Sequence, residues 1–252
     1  PDLNAFIEAA KAAPGQLKAC TEVGAYTYYE LLAFEKAAEA GADGIELDVH
    51  LSRDGEVMIM HDEALSRTAG KDGEISDYSR SELERISAGL TKDNQYGFTP
   101  IPSLEEFLSF LSGTSMMVNI ELKTAPVYYP GIEEKTLGLV RRYGLEDRVI
   151  FSSFNWLSVI KLKKLCPEIP GGLLIASPAI RSIGYEIHDL GLEAYHPEFS
   201  LLSDESVSEC HRNGTQINAW TVNSEDDMRA CMAWGIDGLI TNNPDLAIRL
   251  FR

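Results

Sequence analysis

The stretch Gly44-Ile45-Glu46-Leu47-Asp48-Val49-His50 alternates apolar and polar residues one by one. On a β-strand, side chains two apart share a face. Glu46 and Asp48 therefore point to one side, and Ile45, Leu47 and Val49 to the other, apolar side. Two carboxylates on the inner face of a sheet repel each other and resist desolvation unless a cation sits between them. Oxygen ligands of this kind suit hard divalent ions. The competing reading is a strand end whose acids are simply solvated.

Working outward, short apolar runs alternate with helical patterns along nearly the whole chain. Strands are expected at Gln16–Thr21, Gly44–His50, Glu56–Met60, Ser115–Glu121, Val149–Ser153, Gly171–Ile175, Glu193–His196, Gln216–Val222 and Gly238–Thr241. Between them, apolar residues at i, i+3, i+4 and i+7 predict helices over Tyr29–Ala40, Ile132–Tyr143, Trp156–Leu165, Asp204–Arg212 and Ser224–Trp234. Ser103-Leu104-Glu105-Glu106 has the form of a capping box, and Gly41, Gly144, Gly214 and Gly235 stand where helices close. Repeated strand–helix units imply parallel strands joined by right-handed crossovers. About eight such units without a break predict an α/β fold of the (β/α)8 barrel type, one domain over residues 1–252. The polar stretch 62–103, with one short helix near Ser79–Ile86, is expected as an insertion after an early strand, over the C-terminal mouth.

Composition narrows the function classes. The 252 residues hold 22 Lys and Arg against 39 Asp and Glu, a net charge of −17. Such a chain repels phosphate backbones and anionic lipid, so nucleic-acid and membrane-surface binding are set aside. No apolar run approaches the roughly 20 residues of a membrane span. The expected partner is a small molecule, and an anionic one needs a local positive centre. The segment from Pro1 to Pro14 lacks the basic start of a signal peptide. Cys20, Cys166, Cys210 and Cys231 are scattered without a CxxC, which favours a reducing, cytoplasmic location and leaves secretion open.

Two further segments carry chemistry. In Asn119-Ile120-Glu121-Leu122-Lys123 an acid and a base again lie two apart; Glu121 could complete a three-carboxylate site, and Lys123 could meet an anionic group or form a plain ion pair. In Met58-Ile59-Met60-His61-Asp62 a strand stops and a histidine opens the loop, at the rim where barrel enzymes place their catalytic groups.

Together these residues resemble the glycerophosphodiester phosphodiesterase family. Gly41-Ala42-Asp43-Gly44-Ile45-Glu46-Leu47-Asp48-Val49, Asp54-Gly55 and His61-Asp62-Glu63-Ala64-Leu65-Ser66-Arg67-Thr68 are similar to its signature. The likeness continues through Ile101-Pro102-Ser103-Leu104, Asn119 to Lys123, Ser152-Ser153-Phe154-Asn155, Trp220-Thr221-Val222-Asn223 and Asp237 to Pro244. The resemblance implies a TIM barrel with a small insertion. It also implies a divalent cation, calcium or magnesium, held by Glu46, Asp48 and Glu121. His61 would then be one of two acid–base histidines, and Lys123 a phosphate contact.

The departures are equally specific. The family's first strand ends in His-Arg-Gly, and a Pro-Glu-Asn-Thr turn follows. Here those places hold Ala19-Cys20-Thr21 and Thr27-Tyr28-Tyr29-Glu30, and no histidine precedes His50. Trp156 stands where many relatives carry histidine. The expectation is a metal-binding barrel with lost or strongly impaired phosphodiesterase activity, its pocket rebuilt for a less charged ligand lined by Trp220, Trp156 and Tyr28. Whether by divergence or engineering, even de novo design, that pocket has two alternative uses. One is hydrolysis of activated esters by a Cys20–His61 pair, and the other is non-catalytic binding.

Overall fold

The computed structural model of the protein describes residues 18–23, 34, 37–88, 98–177 and 180–251. Nine strands appear among them, namely β1 (Lys18–Val23), β2 (Gly44–Leu51), β3 (Val57–Ile59), β4 (Met117–Leu122), β5 (Val149–Ser153), β6 (Gly171–Ile175), β7 (Ala194–Pro197), β8 (Gln216–Ala219) and β9 (Gly238–Thr241). Eight run parallel in the ring order β1-β9-β8-β7-β6-β5-β4-β2, and β2 pairs back onto β1. The ring is closed, as the repeated strand–helix units require.

Alternation along each strand separates the two sides of that wall. Ile45, Leu47 and Val49 of β2 and Val118, Ile120 and Leu122 of β4 belong to an outer apolar layer. Helices α3 (Leu104–Ser112) and α4 (Ile132–Tyr143) cover this layer with Phe107, Leu111 and Val140. Ser103 caps α3 as read from its sequence: the Glu106 carboxylate accepts from the Ser103 N–H at 2.8 Å, and Ser103 Oγ accepts from the Glu106 N–H at 3.3 Å. Gly144 ends α4 at φ +63°, a left-handed turn that a side chain would strain.

A second apolar layer backs β6 to β9, where Leu173, Ile217 and Leu239 meet four helices. These are α6 (Ile183–Asp189), α7 (Asp204–Arg212), α8 (Glu225–Trp234) and α9 (Pro244–Phe251), while α5 (Trp156–Leu165) follows β5. The periodicity reading had named neither α6 nor α9. Cys210 and Cys231 are fully buried here, and burial pushes their thiols up to about 12 and about 11, as inert core cysteines should be. Of the helix expected over Tyr29–Ala40, only its end is described, closing at Gly41.

The exception to the parallel rule is β3. It runs antiparallel along the end of β2, from Leu51 back to Val49, and the Met60 N–H donates to the Asp48 carbonyl at 3.1 Å. The chain then leaves on the excursion that holds α1 (Ser66–Ala69), a 3-10 turn at Ile75–Asp77 and α2 (Arg80–Leu83). The excursion has its own small apolar cluster, including Met60, Leu65, Ile75 and Ile101. Its return meets its departure: Ile59 N–H donates to the Pro102 carbonyl at 2.9 Å, beside a bridge between Met58 and Ser103.

Inside the ring, His196 lies across β6 so closely that a Cβ at Gly172 would sit 2.5 Å from its Nε2. Asn218 Nδ2 lies 3.0 Å from that nitrogen, and the imidazole is fully buried. Burial pushes its pKa from 6.5 down to about 4. As pH falls through this window the unfolded chain takes up a proton that the folded one refuses, so stability present above pH 6.5 is lost toward pH 4. The loss from this residue amounts to about 3 kcal/mol. Urea unfolding at pH 7 and pH 4 should show it, and His196→Asn should flatten that part of the profile. An unchanged pH slope in the variant would remove His196 as its source.

Candidate active site at the barrel mouth

Adjacent strands build the polar half of the site. β2 and β4 pair so that Glu46 is in register with Asn119, and Asp48 with Glu121. The alternation that sends their neighbours outward sends these side chains inward. Glu46, Asp48 and Glu121 are each buried, with one oxygen apiece lying within 4.8 Å of the others. Lys123, the residue after β4, reaches back with Nζ 2.9 Å from both Asp48 Oδ1 and Glu121 Oε1.

Three carboxyl groups therefore share a desolvated space, with the Lys123 ammonium between Asp48 and Glu121. Burial and the neighbouring Asp48 push the Glu121 carboxyl upward. Asp48 Oδ2 is buried without a hydrogen-bond partner among the described residues. Crowded carboxylate oxygens and an orphaned acceptor are together the donor set a hard divalent cation fits. Burial alone would lower the Lys123 pKa, but the Asp48 and Glu121 carboxylates outweigh it and hold the proton on.

β3 supplies the next group. Because it returns along β2, it delivers His61 to the same cleft. His61 Nδ1 lies 2.7 Å from Asp62 Oδ1, and Arg67 grips that carboxylate through Nε at 2.5 Å and Nη2 at 2.8 Å. Burial would raise the Asp62 pKa, but Arg67 and His61 hold it below the usual range. The carboxylate can only accept, so it fixes the proton on Nδ1 and leaves Nε2 free to take or give one. A further histidine supports this arrangement. Buried His50 donates from Nε2 to the Met60 carbonyl at 2.9 Å and accepts from the Tyr129 hydroxyl at 3.1 Å, its pKa pushed by burial to about 4.

The remaining wall is apolar. The cleft is lined by Glu46, Asp48, His61, Glu121 and Lys123 from β2 to β4, and by Phe154, Leu174, Trp220 and Ile240 from β5 to β9. Trp220 donates from Nε1 to the His196 carbonyl at 2.8 Å and meets Phe154 edge-on, ring centres 5.7 Å apart.

The structure thus brings together Glu46, Asp48, Glu121, Lys123, His61 and Trp220. Trp156 is placed elsewhere: it is the first residue of α5, half-buried against the outer apolar layer, and Phe154 lines the cleft instead. The reason is local. Asn155 caps α5 by accepting from the Leu157 N–H at 3.2 Å, and the helix begins one residue beyond the strand-end loop. Tyr28 lies outside the described residues. Cys20 is described only as a strand position, in register with Gly44 on one side and Ile240 on the other. Leu174 and Ile240 carried no signal in sequence, because a fully buried apolar strand does not show which of its faces is the inner one.

A closed parallel barrel with an acidic cation site and a histidine at its C-terminal mouth defines a class, the barrel phosphodiesterases among its members. The model of the glycerophosphoryl diester phosphodiesterase family matches residues 24–246. A glycerophosphodiester phosphodiesterase of Caldanaerobacter subterraneus subsp. tengcongensis is 37% identical over 224 residues, 88% of this chain and 91% of the relative. An Oleispira antarctica phosphodiesterase solved with the product sn-glycerol-3-phosphate matches with a TM-score of 0.81 and 27% identity, over 92% of this chain and 95% of that one. The glycerophosphodiester phosphodiesterase of Thermotoga maritima gives 0.74 and 28%, over 93% and 98%. The chain belongs to the glycerophosphoryl diester phosphodiesterase family. This kinship lends no support to an engineered origin. Among the described residues, no helix is long and apolar enough to cross a membrane.

Calcium or magnesium should raise the melting temperature, because a ligand at a hundredfold excess over its Kd stabilises the folded state by about 2.7 kcal/mol. Asp48→Asn should abolish that increment while leaving the metal-free protein at least as stable as before, since one buried charge is gone. Calorimetry with millimolar metal and with chelator checks both. No shift in the wild type would show that Lys123 alone compensates the acids.

Proposed function

We propose that the protein binds a divalent cation, calcium or magnesium, through Glu46, Asp48 and Glu121 and uses that centre to hold a phosphodiester, with cleavage strongly impaired. The observation that carries this reading is the buried carboxylate trio, its oxygens within 4.8 Å of one another, beside Lys123 and an oriented His61. Family membership supplies the substrate class, a glycerophosphodiester.

The bound cation would offset charge on a phosphoryl oxygen. The Lys123 ammonium adds a donor to the same phosphate. Asp62 keeps the Nδ1 proton on His61, so Nε2 accepts a proton from the attacking group or returns one to the leaving alkoxide. Cleavage needs both transfers. In the family a second histidine, with an arginine beside it, ends the first strand. By the sequence resemblance, Ala19 and Cys20 stand in this chain where the family carries that pair. Losing one proton-transfer group costs about 10²–10⁴ in rate, and losing a charge-stabilising donor costs a further factor of about 10². The apolar half of the cleft supports a ligand less charged than the family's usual one.

The test is a paired assay of glycerophosphocholine and an activated aryl ester, each with and without chelator. The wild type should turn over the first slowly and only with metal. Ala19→His with Cys20→Arg should raise that rate about 10²-fold, more than the two single changes combined, because both act on one transition state. Ordinary efficiency in the wild type would overturn the impairment. Chelator-insensitive ester hydrolysis lost in Cys20→Ala would replace this reading with the Cys20–His61 pair.

A further inference from the structure

A buried file of hydrogen bonds runs from the edge of the cleft to the surface between α4 and α5. It starts at the strand end that carries Lys123. The Thr124 N–H donates to the Leu122 carbonyl at 2.9 Å, an i to i+2 bond that makes Lys123 the middle residue of a three-residue turn. The same carbonyl accepts from Ser153 Oγ of β5 at 2.6 Å. Ser153 Oγ in turn accepts from the Asn155 N–H at 3.0 Å, and Asn155 Nδ2 donates to the Thr124 carbonyl at 3.4 Å. Lys123 and Phe154 are thus each flanked on both sides by residues of one knot. One stands on the polar wall of the cleft and the other on the apolar wall.

This knot is tied to a distant carboxylate. Thr124, Ser158 and Glu133 are buried, the Thr124 and Ser158 hydroxyls lie 2.8 Å apart, and Ser158 Oγ donates to Glu133 Oε1 at 2.9 Å. A carboxylate only accepts, and a serine hydroxyl has one hydrogen to give. Ser158 gives its hydrogen to Glu133, so it accepts from Thr124, and the Thr124 side chain is held against α5. The other Glu133 oxygen lies 3.0 Å from Lys161 Nζ, which also pairs with Glu134 at 2.9 Å.

We propose that Glu133 is a positioning residue for the cleft, acting through Ser158 and Thr124 to hold the turn that aims Lys123 at Asp48 and Glu121 and the loop that sets Phe154 against Trp220. The proposal rests on the reading of the cleft as a phosphodiester site. Two features select this role over a plainly structural one. Helices α4 and α5 already contribute Leu137, Val140 and Leu162 to one apolar layer, and a carboxylate buried beside such a layer adds desolvation cost rather than adhesion. The turn at Lys123 is closed by one short-range backbone bond, so side-chain anchors on either side of it decide where the ammonium points.

Isothermal titration of the full chain measures two affinities, for calcium alone and for glycerophosphocholine in saturating calcium. Thr124→Val keeps the shape and removes the hydroxyl, Ser158→Ala cuts the file in the middle, and Glu133→Leu removes its end. Each should weaken glycerophosphocholine binding about tenfold, the cost of one misplaced charge-assisted contact. Calcium affinity should stay unchanged, because the β2–β4 ladder holds the three acids. Glu133→Leu combined with Thr124→Val should bind no more weakly than either alone, since both cut one file. Thr124→Ser and Glu133→Gln, which keep a hydroxyl and an acceptor, should restore wild-type affinity. Lower melting temperatures with unchanged glycerophosphocholine affinity would make the file structural only; that result, additive losses, or an equal loss of calcium binding would overturn the proposal and leave the phosphodiester reading standing. A wild type that binds no glycerophosphocholine would overturn both together. Should Glu133→Leu fail to fold, Ser158→Ala, smaller by one oxygen atom, decides alone.

Discussion

Burying like charges together is the constraint around which this protein is arranged. Glu46, Asp48 and Glu121 lie out of water within 4.8 Å of one another, and transfer of even one unpaired carboxylate into such a space is costly. Lys123 offsets one charge from 2.9 Å on two sides. Their oxygens together could hold a hard cation. Side-by-side pairing of β2 and β4 creates the crowding, by bringing Asp48 into register with Glu121. The outer apolar faces of the same two strands, locked under α3 and α4, prevent the acids from turning out to water.

The return of β3 adds a proton carrier to that centre. A three-residue antiparallel strand is a small element, yet it leaves His61 at the cleft, where Asp62 and Arg67 set its tautomer. His50 and Tyr129 hold the carbonyl just before it, so the position of His61 is braced from β2 and from the loop after β4. Opposite this polar arc, strands β5 to β9 contribute no charged group to the cleft. A site divided in this way holds the anionic part of its ligand at one side and something apolar at the other.

Much of this was legible in the chain. The bounds of α4, α5 and α7 match their periodic patterns residue for residue, because amphipathic stripes with clear caps leave little choice of start and stop. Glu46, Asp48, Glu121 and Lys123 were readable because alternation on a strand fixes which side chains share a face. Other features were not legible. The seven residues of α6 make about two turns, too few for a period of 3.6 to stand out. Even with the start of α5 read correctly, the sequence did not show that Trp156 packs on the outer layer while Phe154, two residues earlier, lines the cleft, because tertiary packing decides that.

The sequence by itself determined the repeated strand–helix units and the inward set of acids on β2 and β4. These are local properties: a period of two or 3.6 residues, or the identity of a side chain at a strand end. The tertiary structure decided that β3 turns back instead of joining the ring, that His61 therefore shares a cleft with the acids, and that Leu174, Ile240 and Phe154 form the opposite wall. Those outcomes depend on which strands become neighbours when the ring closes. Contacts between β1 and β2 on one side and β1 and β9 on the other join the ends of the chain, and no local pattern specifies them.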